Sequence, residues 1–198
     1  MAHHQHIWQQ GAGDRVWILF HGTGGTESDL IPLVRRVDLD GSILGIRGNV
    51  SEQGMARFFR RLAEGVFDEE DICRRSADLA EFLDEMQTRY GFDAARSVAL
   101  GYSNGANIIS ALNFLEPRRF DASVLMRPMV PIAPVDGLDL TGARVLMLVG
   151  ERDPLSPPGE PDRLDAIYRR MGADVERATV AAGHELTSAD LQHLAAWL

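Results

Sequence analysis

Gly101-Tyr102-Ser103-Asn104-Gly105 decides how this chain is read. Ser97-Val98-Ala99-Leu100 leads into it with the length and apolarity of a buried strand. Ala106-Asn107-Ile108-Ile109-Ser110-Ala111-Leu112 leads out of it and reads as helix. A serine between glycines at a strand-to-helix turn is the G-x-S-x-G elbow, which exposes the hydroxyl above a sheet. The tight turn strains the Ser103 backbone, and side chains at Gly101 or Gly105 would collide with the neighbouring strand and helix. The helix that follows points the positive end of its dipole at the serine, where an acyl transfer would develop negative charge. Three fixed residues recur by chance, so a glycine-rich βα turn without chemistry is the competing reading. The flanking strand and helix are the context that the elbow requires.

On either side of the elbow, strand-length apolar runs alternate with helical patterns, as in βαβ units with a mostly parallel sheet. Toward the amino terminus, Val16 to Phe20 is apolar throughout, as suits a strand covered on both faces. It runs into the loop His21-Gly22-Thr23-Gly24-Gly25, and a turn or two of helix follows around Leu30 to Val37. Ser42 to Ile46 is a second strand. The region from Asn49 to Phe67 reads either as a loop with a short amphipathic helix over the core or as the wall of a pocket. Asp68 to Tyr90 is the clearest helix, with Asp68 as cap, Ile72, Leu79, Leu83, Met86 and Tyr90 on one stripe, and Gly91 as its end. Cys73, beside that stripe, is expected to pack rather than react. Beyond the elbow helix, which should stop before Pro117, strands are expected at Ala122 to Met126, Arg144 to Val149 and Val175 to Val180. A helix is expected from Pro161 to Met171, and a last one follows a Thr187/Asp190 capping box. The amino-terminal Met1-Ala2-His3-His4-Gln5-His6 before Ile7-Trp8 reads as a short edge strand rather than a metal tract.

At 198 residues the chain has the length of one α/β domain spanning 1–198. Its net charge of −9 argues against nonspecific binding to nucleic acid or to an anionic membrane, which both favour a basic face. No stretch is long and apolar enough for membrane insertion, and the first residues lack the pattern of a signal peptide. With one cysteine there is no internal disulfide, and a cytoplasmic protein is expected. Nothing in the sequence chooses between a monomer and a homodimer.

A serine hydroxyl needs a base in contact, and the base needs a carboxylate to orient it. Ser103, Asp153 and His184 occur in the order serine, acid, histidine, each just after an expected strand. Strand-end loops converge, so residues distant in sequence can meet there. Asp136 and Asp139 are rival acids but precede a strand. His21 and His193 are rival bases, one before the first loop and one inside the last helix. Backbone N–H donors for an oxyanion are expected at Thr23 and Asn104. The Gly22-Thr23-Gly24-Gly25 loop lacks the spacing of a dinucleotide or phosphate loop. Met55, Arg57, Phe58 and Phe59 on one side, and Met129, Val130 and Pro131 on the other, are the expected pocket walls. Arg57 is read either as a solvated cation or as a contact for an anionic substrate group. Such chemistry calls for no metal or organic cofactor.

VWILFHGTGGTESDL, GYSNGAN, LVGERDPLSP and GHEL together resemble the phospholipase/carboxylesterase family of small serine hydrolases, which includes acyl-protein thioesterases. RGNVSEQGMARFFRRLAEGVFDEEDI is similar to its bacterial branch of predicted esterases, including hydrolases associated with quinone stress. The resemblance covers nearly the whole chain. It implies an α/β-hydrolase fold, with a mostly parallel central sheet, helices on both faces and no large cap domain. It carries Ser103, Asp153 and His184 over as the catalytic triad, and Thr23 and Asn104 as oxyanion donors. It implies a small-molecule ester as substrate. No segment is long and apolar enough for a large cap, so an open, shallow pocket walled by short loops is expected, which suits short-chain or aryl esters. The alternatives are an acyl thioesterase or lysophospholipase, or a noncatalytic binder on the same fold. Thr23-Gly24-Gly25 departs from the leucine and acidic residue usual in acyl-protein thioesterases. Ser103 also differs from the cysteine usual at the elbow of dienelactone hydrolases.

Overall fold

The structure is a computed structural model that describes residues 4–63, 65–116 and 119–198. A seven-stranded sheet forms its centre. Its strands are β1 (His6–Gln9), β2 (Val16–Phe20), β3 (Ser42–Ile46), β8 (Val98–Tyr102), β9 (Ala122–Met126), β10 (Arg144–Gly150) and β11 (Asp174–Val180), in the spatial order β1-β3-β2-β8-β9-β10-β11. Only β1 is antiparallel: it lies on the edge with His6 opposite Ile46, as the amino-terminal pattern suggested. Residues 1–3, the start of that expected strand, lie outside the described residues, as does Pro117.

Pleating explains the two cores. In β2, Trp17 and Leu19 point to one face and pack with Leu30, Val34 and Leu194. Ile18 and Phe20 point to the other and pack with Ile72, Leu83, Ile108 and Tyr168. Helices α1 (Ile31–Val34) and α5 (Ser188–Trp197) therefore cover the first face. Helices α2 (Glu69–Tyr90), α3 (Asn104–Leu115) and α4 (Glu160–Arg170) cover the second. With both faces covered, the central strands are apolar throughout instead of alternating. No helix among the described residues is long and apolar enough to cross a membrane.

Two expectations need correction. Among its described residues, the segment after β3 carries neither a long loop nor a helix, but two small hairpins: β4 (Val50–Glu52) with β5 (Met55–Arg57), and β6 (Arg61–Ala63) with β7 (Val66–Phe67). The left-handed Gln53-Gly54 turn, with φ of 52° and 81°, lets the first hairpin reverse in two residues. Cys73 is exposed, because it lies one position off the stripe that α2 buries.

Candidate active site

Chain order sets where a site can form. From β2 the chain crosses to β3 on one side, and from β8 it crosses to β9 on the other, so the order reverses between β2 and β8. Loops leaving the carboxyl ends of strands diverge at such a point and open a crevice. Thr23 follows β2 and Ser103 follows β8, so both border it.

Ser103 has φ 53° and ψ −114°, a conformation that a non-glycine residue adopts only under constraint. The constraint is visible on both sides. Its amide donates to Met126 O at 2.8 Å, and its carbonyl accepts from Asn107 N at 3.0 Å. A Cβ on Gly101 would lie 2.5 Å from Gly105 C, and one on Gly105 would meet the backbone of Phe20 and His21. The two glycines let β8, α3 and β2 approach closely enough to hold the turn.

His184 Nε2 lies 2.9 Å from Ser103 Oγ, and His184 Nδ1 lies 2.8 Å from Asp153 Oδ2. A carboxylate only accepts, so Nδ1 carries the proton and Nε2 is left to accept from the serine. The second oxygen of Asp153 accepts from Leu155 N at 2.9 Å, which fixes the carboxylate's aim. The Asp153 side chain is 3% exposed and that of His184 23%, so the imidazole is reachable while its partner is screened. Of the rival groups, Asp136 is exposed and Asp139 accepts from Thr141 N at 2.8 Å. His21 is buried, accepts from Gly48 N at 3.0 Å through Nε2 and donates to Gly22 O through Nδ1. Burial lowers its pKa, and it ties together the loops after β2 and β3. The Thr23 and Asn104 amides have no acceptor among the described residues.

The His184 loop is held by a group that the sequence reading passed over. Arg127, at φ 55°, donates to the carbonyls on either side of the histidine, Gly183 O at 3.0 Å and Glu185 O at 2.7 Å. The same guanidinium makes a fork to Asp190 at 2.7 and 3.0 Å, and both side chains are fully enclosed. Tyr102 Oη donates to His184 O at 2.9 Å, and burial raises its pKa. The sequence signals were an arginine alone in an apolar loop and an aspartate in a capping box. Asp190 both caps α5 and neutralises Arg127.

These groups lie in a cleft of about 350 Å³. Thr23, Asn104, Met55, Arg57 and Met129 line it. Arg57 is not the solvated cation that one reading expected: it is 3% exposed, because the hairpins fold over it. Phe58 and Phe59 do not: at 1% and 0% exposure they belong to the core under α2 and α3, where Phe58 packs against Phe20. Hairpin geometry turns Phe67 to the cleft instead. Val130 and Pro131 face a neighbouring depression, which shares Gly65, Phe67 and Met129 with the cleft. Arg61, Asn107 and Leu155 also line the cleft without having been foreseen.

No protein-family model matches the chain. Across 98% of its length it is 41% identical to the Bacillus subtilis (strain 168) protein named "Putative hydrolase MhqD", of which it covers 96%. It is 42% identical to the Bacillus cereus carboxylesterase, with a TM-score of 0.95 over 99% of this chain and 93% of that one. The carboxylesterase of Mesorhizobium loti is 29% identical, with a TM-score of 0.93 over 98% and 93%. Relatedness over nearly the full length, on this sheet order and without a large cap, places the fold among the α/β-hydrolases, and the chain belongs to their phospholipase/carboxylesterase family.

Proposed function

We propose that this protein is a serine carboxylesterase that cleaves short-chain or aryl esters through an acyl-enzyme, with Ser103, His184 and Asp153 as its triad. The observation that carries the reading is the hydrogen-bonded line from Ser103 Oγ through the imidazole to Asp153, built on the strained elbow. His184 Nε2 takes the serine proton as Oγ attacks the ester carbonyl, and Asp153 stabilises the imidazolium that results. The tetrahedral oxyanion receives the Thr23 and Asn104 N–H groups, the second aided by the amino terminus of α3. The imidazolium then protonates the departing alcohol. Water enters, gives its proton to the same nitrogen and hydrolyses the acyl-enzyme. These steps need no metal or organic cofactor. A substrate small enough for the cleft is a soluble ester, and a cytoplasmic monomer or homodimer suits that role.

A fluorophosphonate probe tests the reading, because it reacts with an activated serine. Labelling at Ser103 alone is expected. Ser103→Ala should abolish both labelling and hydrolysis of p-nitrophenyl acetate while leaving the unfolding midpoint within a degree or two. More than about one percent residual turnover would exclude Ser103 as the nucleophile.

A further inference from the structure

The cleft holds more positive charge than the proposed chemistry uses. Arg57, Arg61, Arg127, Asp153 and His184 all line it. Asp190 neutralises Arg127, and Asp153 faces His184. Arg57 and Arg61 are left to share one carboxylate, Glu52, at 3.4 Å from Arg57 Nε and 2.6 Å from Arg61 Nε. Burial works against ionisation of Glu52, but Arg61 and Arg57 together hold its carboxyl below the usual range.

Glu52 serves the two arginines unequally. It accepts a hydrogen bond from Arg61, whereas its Oε2, the atom facing Arg57, is buried without a donor. Arg57 is therefore compensated by charge alone, although its side chain is 4% exposed. Its Nε donates to Phe59 O at 3.2 Å and its Nη1 to Thr23 Oγ1 at 2.5 Å, while Nη2 donates to nothing among the described residues. Burial lowers the pKa of this guanidinium, against the pull of Glu52, but an arginine stays charged at neutral pH. A cation that has lost water and gained only part of a counter-charge is costly, and an arriving anion relieves that cost.

The bond to Thr23 also fixes where the anion would sit. One residue offers its side chain to Arg57 and its amide to the proposed oxyanion hole. An acid group on Arg57 would thus lie a few bonds from a carbonyl at Thr23 N. The net charge of −9 repels anions at long range, but screening within about 8 Å at physiological salt leaves contact-range charges to decide inside the cleft.

We propose that Arg57 and Arg61 form an anion subsite, and that the preferred substrates are esters bearing a carboxylate a few bonds from the scissile carbonyl, of the hemisuccinate or hemiglutarate class. This rests on the esterase reading above. The free Nη2 of Arg57 suits one oxygen of a carboxylate, and the neighbouring Arg61 can supply a second charged donor.

The test compares kcat/KM for p-nitrophenyl hemiglutarate and p-nitrophenyl pentanoate, which differ by a terminal carboxylate against a methyl. The wild type should favour the anionic ester about ten-fold, the scale of one charge-assisted contact. Arg61→Gln should lower that ratio. Glu52→Gln should raise it, because it removes the internal competitor. A wild-type ratio of one or less, or variants that shift both esters in proportion, would overturn the subsite. Calorimetric binding of glutarate separates this from the esterase reading. Glutarate bound in an Arg61-dependent way with neither ester cleaved would sink the esterase reading and keep the subsite. Pentanoate cleaved without glutarate binding would do the reverse.

Discussion

At the scale of single residues, chemistry made some positions legible and packing hid others. Ser103, Asp153 and His184 stand out because acyl transfer demands three residue types in fixed relation, and strand ends are where they can converge. Phe58 and Phe59 look like equally good wall residues in one dimension. Which face they show depends on the hairpin between Glu52 and Met55, whose two-residue turn puts both rings under α2 and α3. Arg127 was hidden for a different reason: its partner Asp190 is 63 positions away, and neither the lone arginine nor the capping-box aspartate shows locally that the two pair. The role proposed for Asp153 yields a sharp expectation. Asp153→Asn can donate from its amide to His184 Nδ1, which favours the tautomer with the proton on Nε2, where the serine needs an acceptor. Turnover should fall by up to about 10⁴-fold, the loss seen for this change in a serine protease, with little change in KM. Near-normal kcat in purified Asp153→Asn would move the acid elsewhere.

At the scale of elements, the helices were easier to read than the segments between them. The limits of α2 follow from its own residues. Asp68 accepts from Asp71 N at 3.1 Å, Glu69, Glu70 and Asp71 complement the positive end, and Gly91 closes the helix at φ 70°. Beyond the Gln53-Gly54 turn the two hairpins have little local code, because each is held by ties to other elements. Gly24 N donates to Ala56 O at 2.9 Å, and Phe58 N donates to Asn104 Oδ1 at 2.7 Å. The second hairpin is anchored to α2 through Asp71, 4% exposed, whose Oδ2 accepts from Arg60 N at 2.8 Å while Oδ1 meets Arg74 and Arg75. Burial alone would raise the Asp71 pKa, but the Arg60 amide and the two arginines bring it below its usual 3.8. The sign follows. A carboxyl whose folded pKa is depressed stabilises the fold in full above the unfolded value, and that contribution is lost as pH falls through the folded value. Asp71→Asn should therefore cost about 1–2 kcal/mol at pH 7, the worth of a hydrogen-bonded charge with partly exposed partners. The difference from wild type should shrink below about pH 4, as Asp71 protonates. Denaturant melts at pH 7 and pH 3 measure both values. Equal gaps at the two pH values would mean that the charge of Asp71 contributes nothing.

At the scale of the whole molecule, no cap domain is built on the sheet and its helices among the described residues, and the cleft is shaped by two small hairpins and the loops that follow the strands. This limits the acyl group that can be bound. Met55, Phe67, Met129 and Leu155 supply apolar wall, but Arg57, Arg61 and the proposed triad occupy much of the rest of a cleft of about 350 Å³. Each methylene that finds wall can gain about 0.8 kcal/mol, or roughly four-fold in kcat/KM if the contact persists into the transition state. Once the wall is used up, further methylenes project into water and gain nothing. In the neutral p-nitrophenyl series from two to sixteen carbons, kcat/KM should climb over the first few carbons, level off by about eight and then decline as chains fold back or aggregate. No cap opens over the cleft, so the rate should cross the micelle threshold of the longer esters without a jump. A maximum at twelve carbons or more, or a steep rise above that threshold, would show that the hairpins rearrange to make an acyl channel. The substrate would then be sought among lipids.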